Sequence, residues 1–199
     1  ADGVVVNDLL LSAALTEANG AGTFTKAGAG TMTVSGANTN TGAITVNAGT
    51  LAVTNATGLG TTAGGVTVAS GATLDLQNVT VGAENITLNG GTIAASTGTS
   101  SLAGTVALGA ASTVNVAGNQ LTLTGIVSGA HALQKLGVGH LILTATNSYT
   151  GTTTIGEGKL TFRNDVPNLT SSSFVGPGVL VVEPAGANFT SAYTFNETL

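Results

Sequence analysis

Few residues of this chain are of a kind that does chemistry, and their spacing decides what chemistry is open to them. His131 and His140 are the only histidines; no HExxH and no carboxylate stands at ligand spacing from them, so a metal centre would arise only by accident of stacking. Gly28-Ala29-Gly30 and Gly137-Val138-Gly139 could suggest phosphate loops. Neither extends to GxGxxG and no Gly-Lys-Ser/Thr follows, so both read as turns. Gly90-Gly91 is followed by Thr92, without the Asp ladder of calcium-binding coils. Glu157, Lys159 and Arg163 are the one dense charged group. A glycosidase or polysaccharide lyase needs clustered carboxylates, or Asp with Lys or Arg, on one face; here a solvated corner explains the three. No catalytic, cofactor-binding or metal-ligating residue is assigned, and the chain does not read as an enzyme.

Polar columns are the remaining candidates. Thr50, Thr73, Thr92 and Thr113 recur at equivalent positions, as do Thr45, Thr67 and Thr87. Flat Thr arrays can bind ice when two Thr align per coil. The positions two after the first column hold Ala52, Asp75, Ala94 and Asn115 instead, so β-branched residues on exposed strands are the simpler account. Six Asn-x-Thr sequons (Asn55, Asn78, Asn85, Asn168, Asn188, Asn196) are expected by chance in a chain this rich in Asn and Thr.

The elements that carry these columns follow from a repeat. Residues 24–53 return as residues 133–162 without a gap, with Lys26/Lys135, Gly28/Gly137, Asn38/Asn147, Gly42/Gly151, Gly49/Gly158 and Leu51/Leu160 identical. Between the copies runs a shorter period. Ile44-Thr45-Val46, Val66-Thr67-Val68, Ile86-Thr87-Leu88 and Val106-Ala107-Leu108 are each followed by a second triplet, from Leu51-Ala52-Val53 to Val114-Asn115-Val116. Strand side chains alternate, so the outer members of a triplet face a dry side and the middle members a wet one. A unit of roughly 20–22 residues leaves no room for a crossover helix and suits one turn of a parallel β-helix, with Gly, Asn and Ser at the corners. The fold class is therefore all-β, a parallel β-helix (β-solenoid). Some eight coils make a rod on the order of 40 Å long at the strand spacing.

Asn7 to Gly20 carries a capping residue, helix formers and a Gly stop, the pattern of a terminal helix. Against that, Leu9 and Leu11 match Leu121 and Leu123 across a short gap, and a further coil is the preferred reading. Composition shifts near Arg163. All three prolines (Pro167, Pro177, Pro184) and five of the seven aromatics lie from Phe162 onward, and Val179-Leu180-Val181-Val182 reads as a buried strand. Residues 1–162 are expected to form coils; residues 163–199 are expected to be terminal or modified coils, leading into a further solenoid segment, with the aromatics capping the last apolar layer rather than forming a binding patch.

Composition excludes some partners. The net charge is −5, from 9 acidic and 4 basic residues, and Trp is absent, which argues against nucleic acid and anionic membrane. Only 7% of residues are charged and 30 are Gly, so the surface must be built from Thr, Ser, Asn and Ala. Cys is absent, which a stacked core tolerates. No apolar run approaches the length of a membrane span. No secretion signal stands at the start, and the chain reads as an internal or processed piece of something longer.

The stretch Lys26 to Leu51 (KAGAGTMTVSGANTNTGAITVNAGTL) resembles the passenger-associated β-strand repeat of bacterial autotransporters and two-partner-secretion exoproteins, and Lys135 to Leu160 looks like a second copy. Asn38…Thr41-Gly42, Asn147-Ser148-Tyr149-Thr150-Gly151 and Asn47-Ala48-Gly49-Thr50-Leu51 carry most of the match. The tail Val181-Val182-Glu183-Pro184 is similar in style to filamentous-haemagglutinin-like exoproteins. The resemblance implies a right-handed β-helical passenger exported by type V secretion through an outer-membrane transporter. It implies a cell-surface or secreted location and use as an adhesin or presenting stalk, in virulence or biofilm. Host or matrix glycoconjugates, or sister molecules, are the partners to expect. A self-associating module is the alternative, and a carbohydrate-active β-helix enzyme a remote one.

Overall fold

The computed structural model describes residues 9–17, 21–163 and 173–183. They form a solenoid of three parallel sheets, one on each face. Sheet A stacks nine strands: β1 (Leu9–Leu11), β3 (Thr31–Val34), β5 (Thr50–Val53), β7 (Thr73–Leu76), β10 (Thr92–Ala95), β13 (Ser112–Val116), β16 (Leu133–Leu136), β18 (Thr153–Ile155) and β20 (Phe174–Val175). Sheet B holds β2 (Phe24–Lys26), β4 (Ile44–Val46), β6 (Val66–Ala69), β9 (Ile86–Asn89), β12 (Val106–Ala110) and β15 (Val127–Ser128). Sheet C holds β8 (Thr80–Val81), β11 (Thr99–Leu102), β14 (Gln120–Leu123), β17 (His140–Leu143), β19 (Lys159–Arg163) and β21 (Val179–Glu183). Nine passes over sheet A make eight turns. The β-solenoid expected from the short period is the fold observed.

Every coil visits the sheets in the order B, A, C, but not every coil has a strand on each. The first coils lack one on face C, and the last described coils lack one on face B. The two repeat copies sit at these two places and are turned by one face relative to each other. Copy one supplies β2 and β4 to sheet B and β3 and β5 to sheet A; their equivalents β16 and β18 lie in sheet A, and β17 and β19 in sheet C. The offset between the copies is thus a whole number of turns plus one face.

Register follows the triplets. Ile44, Val66 and Ile86 are stacked neighbours, as are Val46, Val68 and Leu88, all facing the core. Leu51, Leu74, Ile93 and Val114 form the matching column on sheet A. These layers fill the axis of the rod, and Leu51, Leu74, Leu88 and Ile93 are completely buried.

Two expectations need correction, and the choice between coil and helix at the start is decided for the coil. The middle members of the sheet A triplets are not all wet: Ala52, Asp75 and Ala94 are buried, and Asp75 is held under hydrogen bonds from Gln77 and from Ser96 of the next coil, which take the place of water. The helix pattern from Asn7 to Gly20 gives no helix over its described part; Leu9–Leu11 is strand β1, since pairing with β3 satisfies its backbone and outweighs local helix propensity. Leu9 pairs with Met32 as Leu121 pairs with Leu141, and Met32 and Leu141 are repeat equivalents, so the gapped match between the leucines is real. Finally, β21 is only half-buried along most of its length rather than buried, because it lies at the end of the described stack of sheet C. Phe162 and Phe174 are buried edge to face at 5.8 Å beside it. The expectations for Pro167, Pro184 and the aromatics beyond residue 183 fall outside the described residues.

Candidate functional site

The repeat copies share two polar devices. Lys26, at the end of β2, turns its ammonium into the corner and donates to the carbonyls of Ala27 (3.1 Å), Gly28 (2.7 Å) and, one coil on, Ala48 (3.0 Å). Lys135 does the same with Leu136 (2.8 Å), Gly137 (2.6 Å) and Glu157 (3.3 Å). Ammonium has three donors, and each finds a carbonyl. Burial pushes the Lys135 pKa down to about 8, with the Glu157 carboxylate pulling the other way, so the group is still a cation at neutral pH. The Gly-x-Gly segments are the corners these lysines brace, with Gly28 at φ +78° and Gly137 at φ +76°. They are turns, as the missing phosphate-loop signature indicated.

Asn38 and Asn147 are the second device. Each stands where a face has no strand and imitates one. Asn38 Oδ1 accepts the Leu15 N–H at 2.8 Å, and the Thr39 N–H donates to the Leu15 carbonyl at 2.9 Å. Asn147 Oδ1 accepts the Val127 N–H at 2.9 Å, and the Ser148 N–H donates to the Val127 carbonyl at 2.9 Å. One side-chain oxygen and one backbone N–H thus satisfy a residue of the preceding coil. Thr41 and Gly42 of the first copy hold Glu17 across the coil boundary, through the Thr41 N–H and hydroxyl (both 2.7 Å) and the Gly42 N–H (3.2 Å). The Thr41 hydroxyl is the main cause that holds the Glu17 carboxyl below its usual range.

Between the copies the exterior is almost free of charge. From residue 27 to residue 134 the only Asp, Glu, Lys or Arg are Asp75 and Glu84, and both are buried. Asp75 takes hydrogen bonds from the Ser96 N–H (3.0 Å), the Ser96 hydroxyl (2.6 Å) and the Gln77 amide (2.8 Å). Outside stand the hydroxyl columns. Sheet A carries Thr31, Thr50, Thr73, Thr92 and Thr113 in register, and sheet B carries Thr25, Thr45, Thr67 and Thr87, continued by Ala107 and Ser128. Over the same span Ile126 is the one large apolar side chain that is exposed.

Sheet C differs towards its C-terminal strands. Thr99, Gln120, His140, Lys159 and Val179 form one outward column. His140 Nε2 lies 2.7 Å from the Thr161 hydroxyl. Burial and the cationic Lys159 and Arg163 hold its pKa below the usual range. Arg163 Nε donates to Glu183 at 2.7 Å, which raises the guanidinium and lowers the carboxylate. Glu157 stays at the exposed corner, so the dense group splits between a corner and a strand and brings no carboxylate pair together. His131 is exposed on its own corner. No set of three or more metal-ligating side chains occurs among the described residues.

Sequence reasoning counted Lys26 and Lys135 as identities without reading a role. The signal was there, since a lysine kept at the end of an apolar triplet, just before Gly-x-Gly, must point inward or at a corner. No curated protein and no solved structure matches the chain. Residues 24–53 and 133–162, the two segments that carry these corner lysines and strand-mimicking asparagines, match the family model described as passenger-associated-transport-repeat.

Proposed function

We propose that this chain is part of the passenger of a secreted bacterial surface protein. In this reading it is a stalk that carries an adhesive region outward and offers its hydroxyl columns for weak, multivalent contacts with host or matrix glycoconjugates. The repeat matches and the β-solenoid support the passenger reading, which brings with it export through an outer-membrane transporter and a place at the cell surface or beyond it. The observation that carries the stalk reading is the exterior between residues 27 and 134, with no exposed Asp, Glu, Lys or Arg. A surface of Thr, Ser, Asn and Ala is wetted without presenting charge, and Ile126 is its one large exposed apolar side chain, so each contact is weak and only repetition along the rod makes it count.

Self-association is a second reading, favoured by the same neutral faces: two copies can lie side by side without charge repulsion. A bead assay on the purified chain separates the two. Coated beads are mixed with one another, with bare beads and with beads carrying mucin or matrix glycoproteins. Capture by glycoprotein beads supports an adhesive segment, and clumping of coated beads alone, abolished by soluble chain, supports self-association. Silence in every pairing rejects both contact roles and leaves the spacer.

A further inference from the structure

The corner that leads from sheet C into sheet B is a column of glycines with one exception. Gly42 stacks on Gly22, Gly64 on Gly42 and Gly125 on Gly104, each so close that a Cβ would strike the backbone beneath it. At the level between Gly64 and Gly104 stands Glu84, on whose backbone Gly104 is packed in the same way. Glu84 is 3% exposed. The backbone N–H of Gly65, a residue at φ +67° in the left-handed region, favours its ionised form but does not outweigh the burial. Among the described residues no cationic side chain offsets its burial. The corners at 61–65 and 103–105 and the strands β6, β8, β9, β11 and β12 contain no other titratable side chain.

We propose that Glu84 is a protonation-dependent latch: protonated, it closes the corner between β8 and β9; ionised, it loosens that corner and lets the coil open locally. A buried carboxyl without a cationic partner favours the neutral form, and burial raises this one from 4.5 to about 7, opposed by the Gly65 N–H. The sign follows from linkage. In the unfolded or opened coil the carboxyl ionises near 4.5, so the stabilisation is complete below that pH, declines as pH rises, and is gone above about 7. The latch thus works across the range between mildly acidic and neutral surroundings. It is independent of any partner assigned to the outer faces.

Amide hydrogen exchange on the 199-residue chain tests it. Protection factors, corrected for the intrinsic pH dependence of exchange, are compared at about pH 5 and about pH 8 for peptides spanning 79–90 and, as reference, 44–53. Protection over 79–90 is expected to fall roughly tenfold or more relative to the reference as pH rises, and to hold steady in Glu84→Gln. Glu84→Gly, which gives this level the residue of the other corners, is the second variant and must also abolish the pH dependence, so failure of Glu84→Gln to fold does not shelter the proposal. Equal pH dependence in the parent chain and in Glu84→Gly, or none in the parent chain, overturns it.

Discussion

The ammonium of Lys26 reaches the carbonyl oxygen of Ala48, 22 residues on, at 3.0 Å, and Lys135 reaches Glu157 across the same 22 residues at 3.3 Å. Each lysine ties its own corner to the next. Hydrogen bonds to a buried cation are worth more than neutral ones, and removing the cation takes the donor from three part-buried carbonyls. Lys135→Met is therefore expected to destabilise the rod by roughly 1–3 kcal/mol, from the loss of these charge-assisted hydrogen bonds. Urea titration followed by circular dichroism measures this; a midpoint equal to that of the parent chain would mean the brace contributes nothing.

Inward and outward neighbours on β9 should behave oppositely. Leu88 is completely buried in mid-stack, whereas Thr87 is on the outer face between Thr67 and Ala107. Leu88→Asp places an unpaired charge among apolar side chains and removes about 1.5–3 kcal/mol of apolar burial besides. It should abolish cooperative melting of the central coils, while Thr87→Asp should shift the melting temperature little. Similar shifts for the two would contradict the register.

Two glycines with similar backbone angles should differ in what they tolerate. Gly158 has φ +63°, and a Cβ there would lie 2.5 Å from the Gly139 oxygen and 2.6 Å from the Gly137 oxygen. Gly71 has φ +77° and open space around the same position. Gly71→Ala should cost only the left-handed backbone term, about 1–2 kcal/mol. Gly158→Ala must also force two corners apart, and should lower the melting temperature well beyond Gly71→Ala. Equal melting temperatures would show that corner stacking is loose.

Periodicity alone determined the architecture. Alternation in the triplets says which side chains face inward, the short repeat unit excludes crossover helices, and the corner glycines follow from the left-handed geometry they must accept. Even the stacking of Thr50 on Thr73 and of Thr45 on Thr67 was legible, because coils of nearly constant length have one register that keeps Val, Ile and Leu inside. Tertiary structure decided what depends on the distance between coils. It turned the second repeat copy by one face, since the offset between the copies is not a whole number of turns. It buried Ala52 and Asp75 although their parity points outward, and gave Asp75 the Ser96 hydroxyl of the next coil as a partner. It caged Lys26 and Lys135 and enclosed Glu84 for the same reason. Whether a charged side chain meets water, a carbonyl or a carboxylate depends on residues about one coil away, and only the stack sets that partner.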